Sequence, residues 1–333
     1  MGKVIKISFL ILVALFLVFL YYFFIAKAKK QENIIWGVNF SQAQAEFLKL
    51  DWKEVYLAVL EDLGVKNIKL LTRWDWVEGK KDDFYFNDID WQIGEAEKNN
   101  AKLIYVVGMK SGRWPECHLP EWTSGLPKKE QQDHILTYIK EVVLRYKENS
   151  AIVAWQAENE PLYRFGICPW YDRNFLRKEV ELIKSLDPAR PIIISDSGEQ
   201  SLWIDVAKIG DIVGTTLYRK VWVGITDNIG FYFTFPLSPK SYNIKAEIIK
   251  KLFGKKVINV ELQAEPWFPD LFKETPLEEQ GKTMNLEQFR KNIIYAEHTG
   301  FDEFYFWGTE WWYWMKETQN RPEIWNEAKS LFK

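Results

Sequence analysis

Two pairs of glutamates are the residues of this 333-residue chain best suited to do chemistry. Glu158 and Glu160 stand in Ala157-Glu158-Asn159-Glu160-Pro161, and Glu261 and Glu265 in Glu261-Leu262-Gln263-Ala264-Glu265-Pro266-Trp267. Each pair follows a short apolar run, Ile152-Val153-Ala154-Trp155-Gln156 and Val257-Ile258-Asn259-Val260. A carboxyl group fixed at the end of a strand does one of two jobs. Ionised, it attacks an electrophilic carbon; protonated, it passes a proton to a leaving oxygen. Two such groups about 5 to 5.5 Å apart carry out the double displacement that cleaves a glycosidic bond with retention of configuration. The negative charge of one partner, with partial burial, keeps the other protonated near neutral pH.

Other chemistries find little support. The three histidines, His118, His134 and His298, are scattered, and the last two fall within helical periodicity. They do not build the multi-ligand centre of a barrel metallohydrolase, so no metal and no organic cofactor are expected. Cys117 and Cys168 are too few for a disulfide scaffold and lack C-x-x-C spacing. Whether they pair with each other or stay free thiols is left open. The formal net charge of -2 gives no basic excess to hold phosphates, which argues against nucleic acid as a partner. Aromatic content is 16%, with 17 Trp, enough for a surface that stacks on sugar rings as well as for a barrel core.

The elements that must position the carboxylates alternate regularly. Apolar, β-branched runs at 34–38, 67–71, 102–107, 152–156, 191–194, 211–216, 256–260 and 303–307 read as eight strands. Between and after them lie amphipathic stretches at 52–63, 89–99, 130–147, 174–186, 242–253, 286–298 and 322–332, with a short helix near 201–209. Gly64 and Gly300 stand where left-handed helix caps belong. Eight βα units predict an α/β fold, the (β/α)8 TIM barrel, with its site at the C-terminal ends of the strands. Strands four and seven lie on opposite sides of such a ring, so the two glutamate pairs face each other across the mouth. Two loops on that face are long, 218–240 and 262–285, and the first carries Trp222, Phe231, Tyr232, Phe233 and Phe235. Such loops shape subsites or cover a small core of their own.

Ahead of the barrel, 7–26 is an uncharged apolar run flanked by Lys3 and Lys6 and by Lys27, Lys29 and Lys30. Its length suits one transmembrane helix acting as an uncleaved signal anchor. Ala26-Lys27-Ala28 keeps open a signal-peptide cleavage. The expected division is 1–30 for the anchor and 31–333 for one catalytic domain. Lysines on both flanks do not set orientation; a glycan-cleaving function places the barrel outside the cytoplasm.

At these residues the chain resembles glycoside hydrolase clan A, and the motifs that carry the likeness are spread from about 34 to 333. Asn159-Glu160-Pro161 is similar to the clan's Asn-Glu-Pro signature. The resemblance implies Glu160 as acid/base, Asn159 as partner of the substrate's 2-hydroxyl, and Glu261 as nucleophile. Glu158 and Glu265 remain the competitors. Arg73 resembles the clan's arginine that keeps the nucleophile ionised, Tyr218 the donor beside it, and Trp307 in Tyr305-Phe306-Trp307-Gly308 the floor of the sugar subsite. The plainer alternatives are a mouth salt bridge for Arg73, a loop aromatic for Tyr218 and a core residue for Trp307. His118 either binds a sugar hydroxyl or is structural. Glu310 with Trp311, Trp312 and Trp314 offers a further sugar platform. Arg73-Trp74 with Trp76-Val77-Glu78-Gly79 resembles the galactosidase-like and xylosidase-like families, and the layout also fits the cellulase and mannanase family, numbered five, so the family within the clan stays open. The resemblance implies a monomeric, membrane-anchored retaining hydrolase of β-glycosidic bonds in poly- or oligosaccharides. A transglycosidase on the same residues, or a carbohydrate-binding pseudoenzyme, is the alternative.

Overall fold

The apolar runs close into a single ring in the computed structural model, which describes residues 2–226, 229–269 and 275–332. Its strands are β1 (Ile35–Phe40), β2 (Asn67–Leu70), β3 (Lys102–Val107), β4 (Ile152–Ala157), β5 (Ile192–Asp196), β6 (Ile212–Leu217), β7 (Lys256–Gln263) and β8 (Glu303–Trp307). All neighbours are parallel, and β1 pairs with β8 to close the barrel. The fold is the eight-stranded TIM barrel expected from the alternation. Helices cover it, among them Asn87–Lys98, Lys128–Tyr146, Arg173–Leu186, Pro239–Phe253 and Leu286–Glu297. Gly64 and Gly300 take φ values of 77° and 82°, the left-handed conformation that a residue with a Cβ resists.

Side-chain alternation sorts each strand into two faces. Ile68 and Leu70 of β2, Trp155 and Ala157 of β4, and Val257 and Leu262 of β7 point outward into the large core shared with the helices. The opposite parity fills the lumen, where Ile104, Ala154, Ile193, Ile258, Val260 and Tyr305 form an apolar plug. Above the plug the same parity turns polar, with Lys69, Gln156, Ser195 and Thr216 all buried. In β7 the register slips: Thr215 stands opposite Asn259, yet Thr216 stands opposite Glu261. A bulge of this kind re-aims the residues beyond it. Here it turns Glu261 to the lumen side directly after Val260, which already faces inward.

Two features outside the ring matter later. The helix Gly2–Phe24 stands away from the barrel, and within it Ile5–Phe24 is long and apolar enough to cross a membrane. Its last turn is held at the start of helix Pro239–Phe253, where Ser238 donates through N to Phe23 O (2.7 Å) and through Oγ to Tyr22 O (2.6 Å). The long loop 218–240 is not irregular: Lys220–Thr226 and Ile229–Thr234 pair as an antiparallel hairpin. Parts of this loop (227–228) and of the loop 262–285 (270–274) lie outside the described residues.

Candidate active site

Glu160 and Glu261 both reach the mouth of the barrel, and both are buried. Glu261 Oε2 accepts a hydrogen bond from Tyr218 Oη (2.9 Å), and its Oε1 lies 3.0 Å from Lys69 Nζ. The same ammonium donates to Asn159 Oδ1 at 3.0 Å. Glu160 Oε1 accepts from Thr216 Oγ1 (3.1 Å), while its backbone N–H donates to Ser195 Oγ (2.8 Å). Thr216 is the register partner of Glu261, so one threonine on β6 stands between the two carboxyls. Burial pushes the Glu160 carboxyl well above the usual range, and the charge of Glu261 pushes in the same direction. Burial likewise raises the Tyr218 phenol, with Glu261 adding to it, so the phenol stays a donor.

The turn after β4 delivers Glu160 at a cost. Glu158 and Glu160 adopt φ values of 60° and 45°, a left-handed conformation worth roughly 1–2 kcal/mol per non-glycine residue. Strain of this kind persists where surrounding contacts fix it. Lys110 supplies such contacts, donating to Glu160 O (3.0 Å) and Tyr163 O (2.9 Å).

The competing carboxylates are engaged elsewhere. Glu158 Oε1 accepts from Met109 N at 2.8 Å, and its neighbour is the buried Glu179 of the helix Arg173–Leu186. Glu265 is ion-paired with Arg113, whose other arm donates to Glu310 Oε2 at 2.9 Å. Arg113 lies over the Trp307 ring, 4.3 Å from its centroid. Trp307 is mostly buried, packs with Leu71, Val106 and Tyr218, and has Lys69 5.9 Å from its ring centroid.

Arg73, Trp311 and Trp312 sit differently from the expectation, and His118 takes the structural of its two alternatives. Arg73 is not beside Glu261: its guanidinium donates to Asp75 Oδ1 (2.9 Å) and stacks on Trp76 (4.6 Å) at the rim. The cation beside Glu261 is Lys69. His118 is buried behind the mouth with Nε2 2.9 Å from Gly112 O, and burial, then Arg73, lowers its pKa. Of the aromatic cluster after β8, Trp311 and Trp312 are no platform. Helix Thr309–Glu317 turns them into the core, where their indole N–H groups bond Gln280 Oε1 and Ala264 O at 2.8 Å each. An aromatic row lines the mouth instead: Tyr163, Phe165 and Trp267, with Trp267 edge-on to Tyr218 at 5.2 Å. Glu116, another residue the sequence reading passed over, is buried nearby and pushed up to about 7 by burial.

Cys117 and Cys168 form a disulfide that ties the loops after β3 and β4. No group of three or more His, Cys, Asp or Glu side chains suited to a metal ion occurs among the described residues.

Comparison with known proteins agrees with the fold. Residues 96–314 match the family model described as Glycosyl hydrolases family 2, TIM barrel domain. A probable mannan endo-1,4-beta-mannosidase A of Aspergillus niger is 42% identical over 121 residues, which span 33% of this chain and 30% of the mannosidase. A probable mannan endo-1,4-beta-mannosidase F of Neosartorya fischeri is 27% identical over 169 residues, 42% of this chain and 36% of the relative. The chain thus aligns to about a third of the length of these relatives. Among solved structures, xylanase 10B of Thermotoga maritima superposes with a TM-score of 0.57 at 16% identity, covering 90% of this chain and 95% of the xylanase. A beta-galactosidase of Rahnella sp. R3 gives 0.57 at 10% identity, covering 93% of this chain and 57% of the galactosidase. At such identities the likeness is one of fold.

Proposed function

Because this chain belongs to the glycosyl hydrolases family 2 TIM-barrel family, we propose that it hydrolyses β-glycosidic bonds by double displacement, with Glu261 as nucleophile and Glu160 as acid/base. The observation that carries the reading is the pair of opposed environments. Glu261 is met by the Lys69 ammonium and the Tyr218 hydroxyl, groups that favour an anion. Glu160 is buried beside that anion with a raised pKa, which keeps its proton. In the first step Glu261 attacks the anomeric carbon as the aglycone oxygen leaves with the Glu160 proton. In the second, Glu160 takes a proton from water, whose oxygen displaces Glu261 and restores both groups. Asn159, which accepts from Lys69, is the residue we assign to the 2-hydroxyl. Trp307 forms the floor of the subsite, and His118 supports it through the backbone of Gly112. Arg73 stands at the rim for a more distant sugar.

The substrate class we favour is a β-1,4-linked polysaccharide backbone such as mannan, on which the mannan endo-1,4-beta-mannosidase relatives act by name. Residues 31–333 are proposed as the catalytic domain, tethered by 1–30 outside the cytoplasm and acting as a monomer. Hydrolysis of β-mannan, β-xylan and aryl β-glycosides by the full chain, beside Glu261→Ala, tests the reading. Turnover by the wild type alone, with retained anomeric configuration, supports it. Glycan binding by both proteins without turnover would favour a binding module.

A further inference from the structure

The hairpin that interrupts the loop after β6 has two unlike faces. Its register sets Trp222 against Tyr232 and Gly224 against Gly230 on one side. That side turns toward the rest of the protein, with Trp222 stacked edge-on to Tyr232 and the Tyr232 hydroxyl bonded to Glu279. The other side carries Val223, Ile229, Phe231 and Phe233, with Ile225 beside them at a register slip between Gly224 and Thr226, while Val221 at its base is buried. Val223, Ile225, Ile229 and Phe231 are 36%, 68%, 61% and 47% exposed. Soluble proteins rarely leave contiguous apolar surface of this kind uncovered, least of all on a two-stranded ribbon.

The apolar N-terminal helix ends close to this face. The hairpin closes where Phe235 N donates to Arg219 O (3.0 Å), and three residues later Ser238 grips the last turn of the apolar N-terminal helix through Phe23 O and Tyr22 O. Strands rise about 3.3 Å per residue, so Phe231 lies within roughly 23 Å of the point where that helix is held. A bilayer entered by Ile5–Phe24 therefore passes within reach of the hairpin. Lys27 and Lys29, both exposed, stand just past the helix, where lysines reach anionic headgroups.

We propose that the hairpin is a second membrane contact, its Val223, Ile225, Ile229 and Phe231 face lying in the headgroup and acyl boundary of the bilayer that the helix spans. The proposal takes the helix as membrane-inserted and is independent of the glycosidase reading. The two contacts together fix the tilt of the barrel on the membrane, since one helix alone leaves it free to swing. Only Arg219 separates the hairpin from Tyr218, so the orientation is passed straight to the mouth.

The test uses the full chain in vesicles of phosphatidylcholine and phosphatidylglycerol. The two native cysteines are bonded to each other, so a third, from Ile225→Cys, takes an environment-sensitive fluorophore alone. Leu144→Cys, exposed on the helix between β3 and β4, is the control. The label at 225 should shift to the blue, brighten severalfold and be quenched by lipids carrying a headgroup-depth quencher, while the label at 144 stays water-like. A water-like label at 225 on chain that floats with the vesicles would overturn the hairpin contact alone. Failure to float would overturn the hairpin and the anchor together. Amide exchange supplies a label-free check: 220–234 should exchange severalfold more slowly in vesicles than the same segment of the variant combining Ile225→Ser, Ile229→Ser and Phe231→Ser. Equal rates would reject the contact.

Discussion

Lys69 Nζ lies 3.0 Å from Glu261 Oε1 and 3.0 Å from Asn159 Oδ1, so one fully buried ammonium on β2 links the ends of β7 and β4. A buried carboxylate loses several kcal/mol of hydration, and a paired, hydrogen-bonded cation offsets that loss. Lys69→Met should therefore lower kcat/KM by roughly 10²-fold or more, the scale seen when a preorganised charge partner is removed from a site. Arg73→Met removes a group that touches Asp75 and Trp76 at the rim, and should raise KM by less than about tenfold, leaving kcat near that of the wild type. Steady-state kinetics on one soluble β-glycan separates the two. A larger loss for Arg73→Met would return the role to the arginine.

Lys69 also marks what the sequence conceals. The strands were legible because their apolar runs are short and bounded, and the carboxylates because they end such runs. A lysine inside Asn67-Ile68-Lys69-Leu70 breaks that pattern without announcing its partner. Its signal was parity: Ile68 and Leu70 face the helices, so Lys69 must face the lumen. Arg73, four residues on, fitted the family pattern yet falls past the strand end, where Asp75 is nearer. The left-handed turn at Glu158 and Glu160 left no trace, since neither is a glycine. The bulge that aims Glu261 inward depends on pairing with β6 and β8, which local sequence does not encode. Trp311 and Trp312 look the same as a sugar platform or as core; only the packing of their helix decides.

Glu160 should set the alkaline side of the activity profile. Its carboxyl is raised by burial and then by Glu261, and the proposed first step needs its proton. Activity should fall as pH rises through that raised value. In Glu160→Gln this limb should vanish. Turnover of substrates with poor leaving groups should drop by about 10² to 10⁴-fold, while formation of the glycosyl-enzyme from an activated aryl glycoside is largely spared. The pH dependence of kcat/KM and a pre-steady-state burst measure both. A surviving limb in the variant would assign it to another group.

Stability should run against the usual trend with pH. Burial raises Glu116, Glu158, Glu199 and Glu310 each to about 7. The unfolded chain releases these protons near the ordinary Glu value of about 4.3. Between the two values the folded state holds more protons, so stability is full below the lower one and is lost as pH rises toward 7. Asp172, lowered to about 2 by Lys128, acts in the opposite sense: its contribution is present above about 4 and is lost as pH falls toward 2. Tm should accordingly peak near about pH 5 and decline toward pH 7.5. Thermal unfolding followed by Trp fluorescence from pH 3 to 8 measures it. Replacing Glu310 by Gln should flatten the decline, and an unchanged slope would mean that these carboxyls do not carry it.

The Cys117–Cys168 disulfide should matter more for binding than for bond cleavage. It closes a separation of 51 residues, for which loop entropy alone gives about 4 kcal/mol. In a domain this large each kcal/mol moves Tm by roughly 2 °C, so Cys117→Ala with Cys168→Ala should lower Tm by about 8 °C. The loops it joins carry Arg113, Trp114 and Glu116 on one side and Tyr163 and Phe165 on the other, and a backbone hydrogen bond from Ile167 N to Pro115 O (2.9 Å) runs beside it. The carboxyl of Glu160 accepts from Thr216, and that of Glu261 is met by Lys69 and Tyr218, all three on other strands or loops than those the disulfide ties. The double variant should thus keep kcat on a small aryl glycoside, yet show KM several times higher on oligosaccharides long enough to reach the aromatic row. Kinetics on an oligosaccharide series, with and without reductant on the wild type, distinguishes the two effects. A fall in kcat on the aryl glycoside equal to the rise in oligosaccharide KM would show that the disulfide holds the carboxylates as well as the loops.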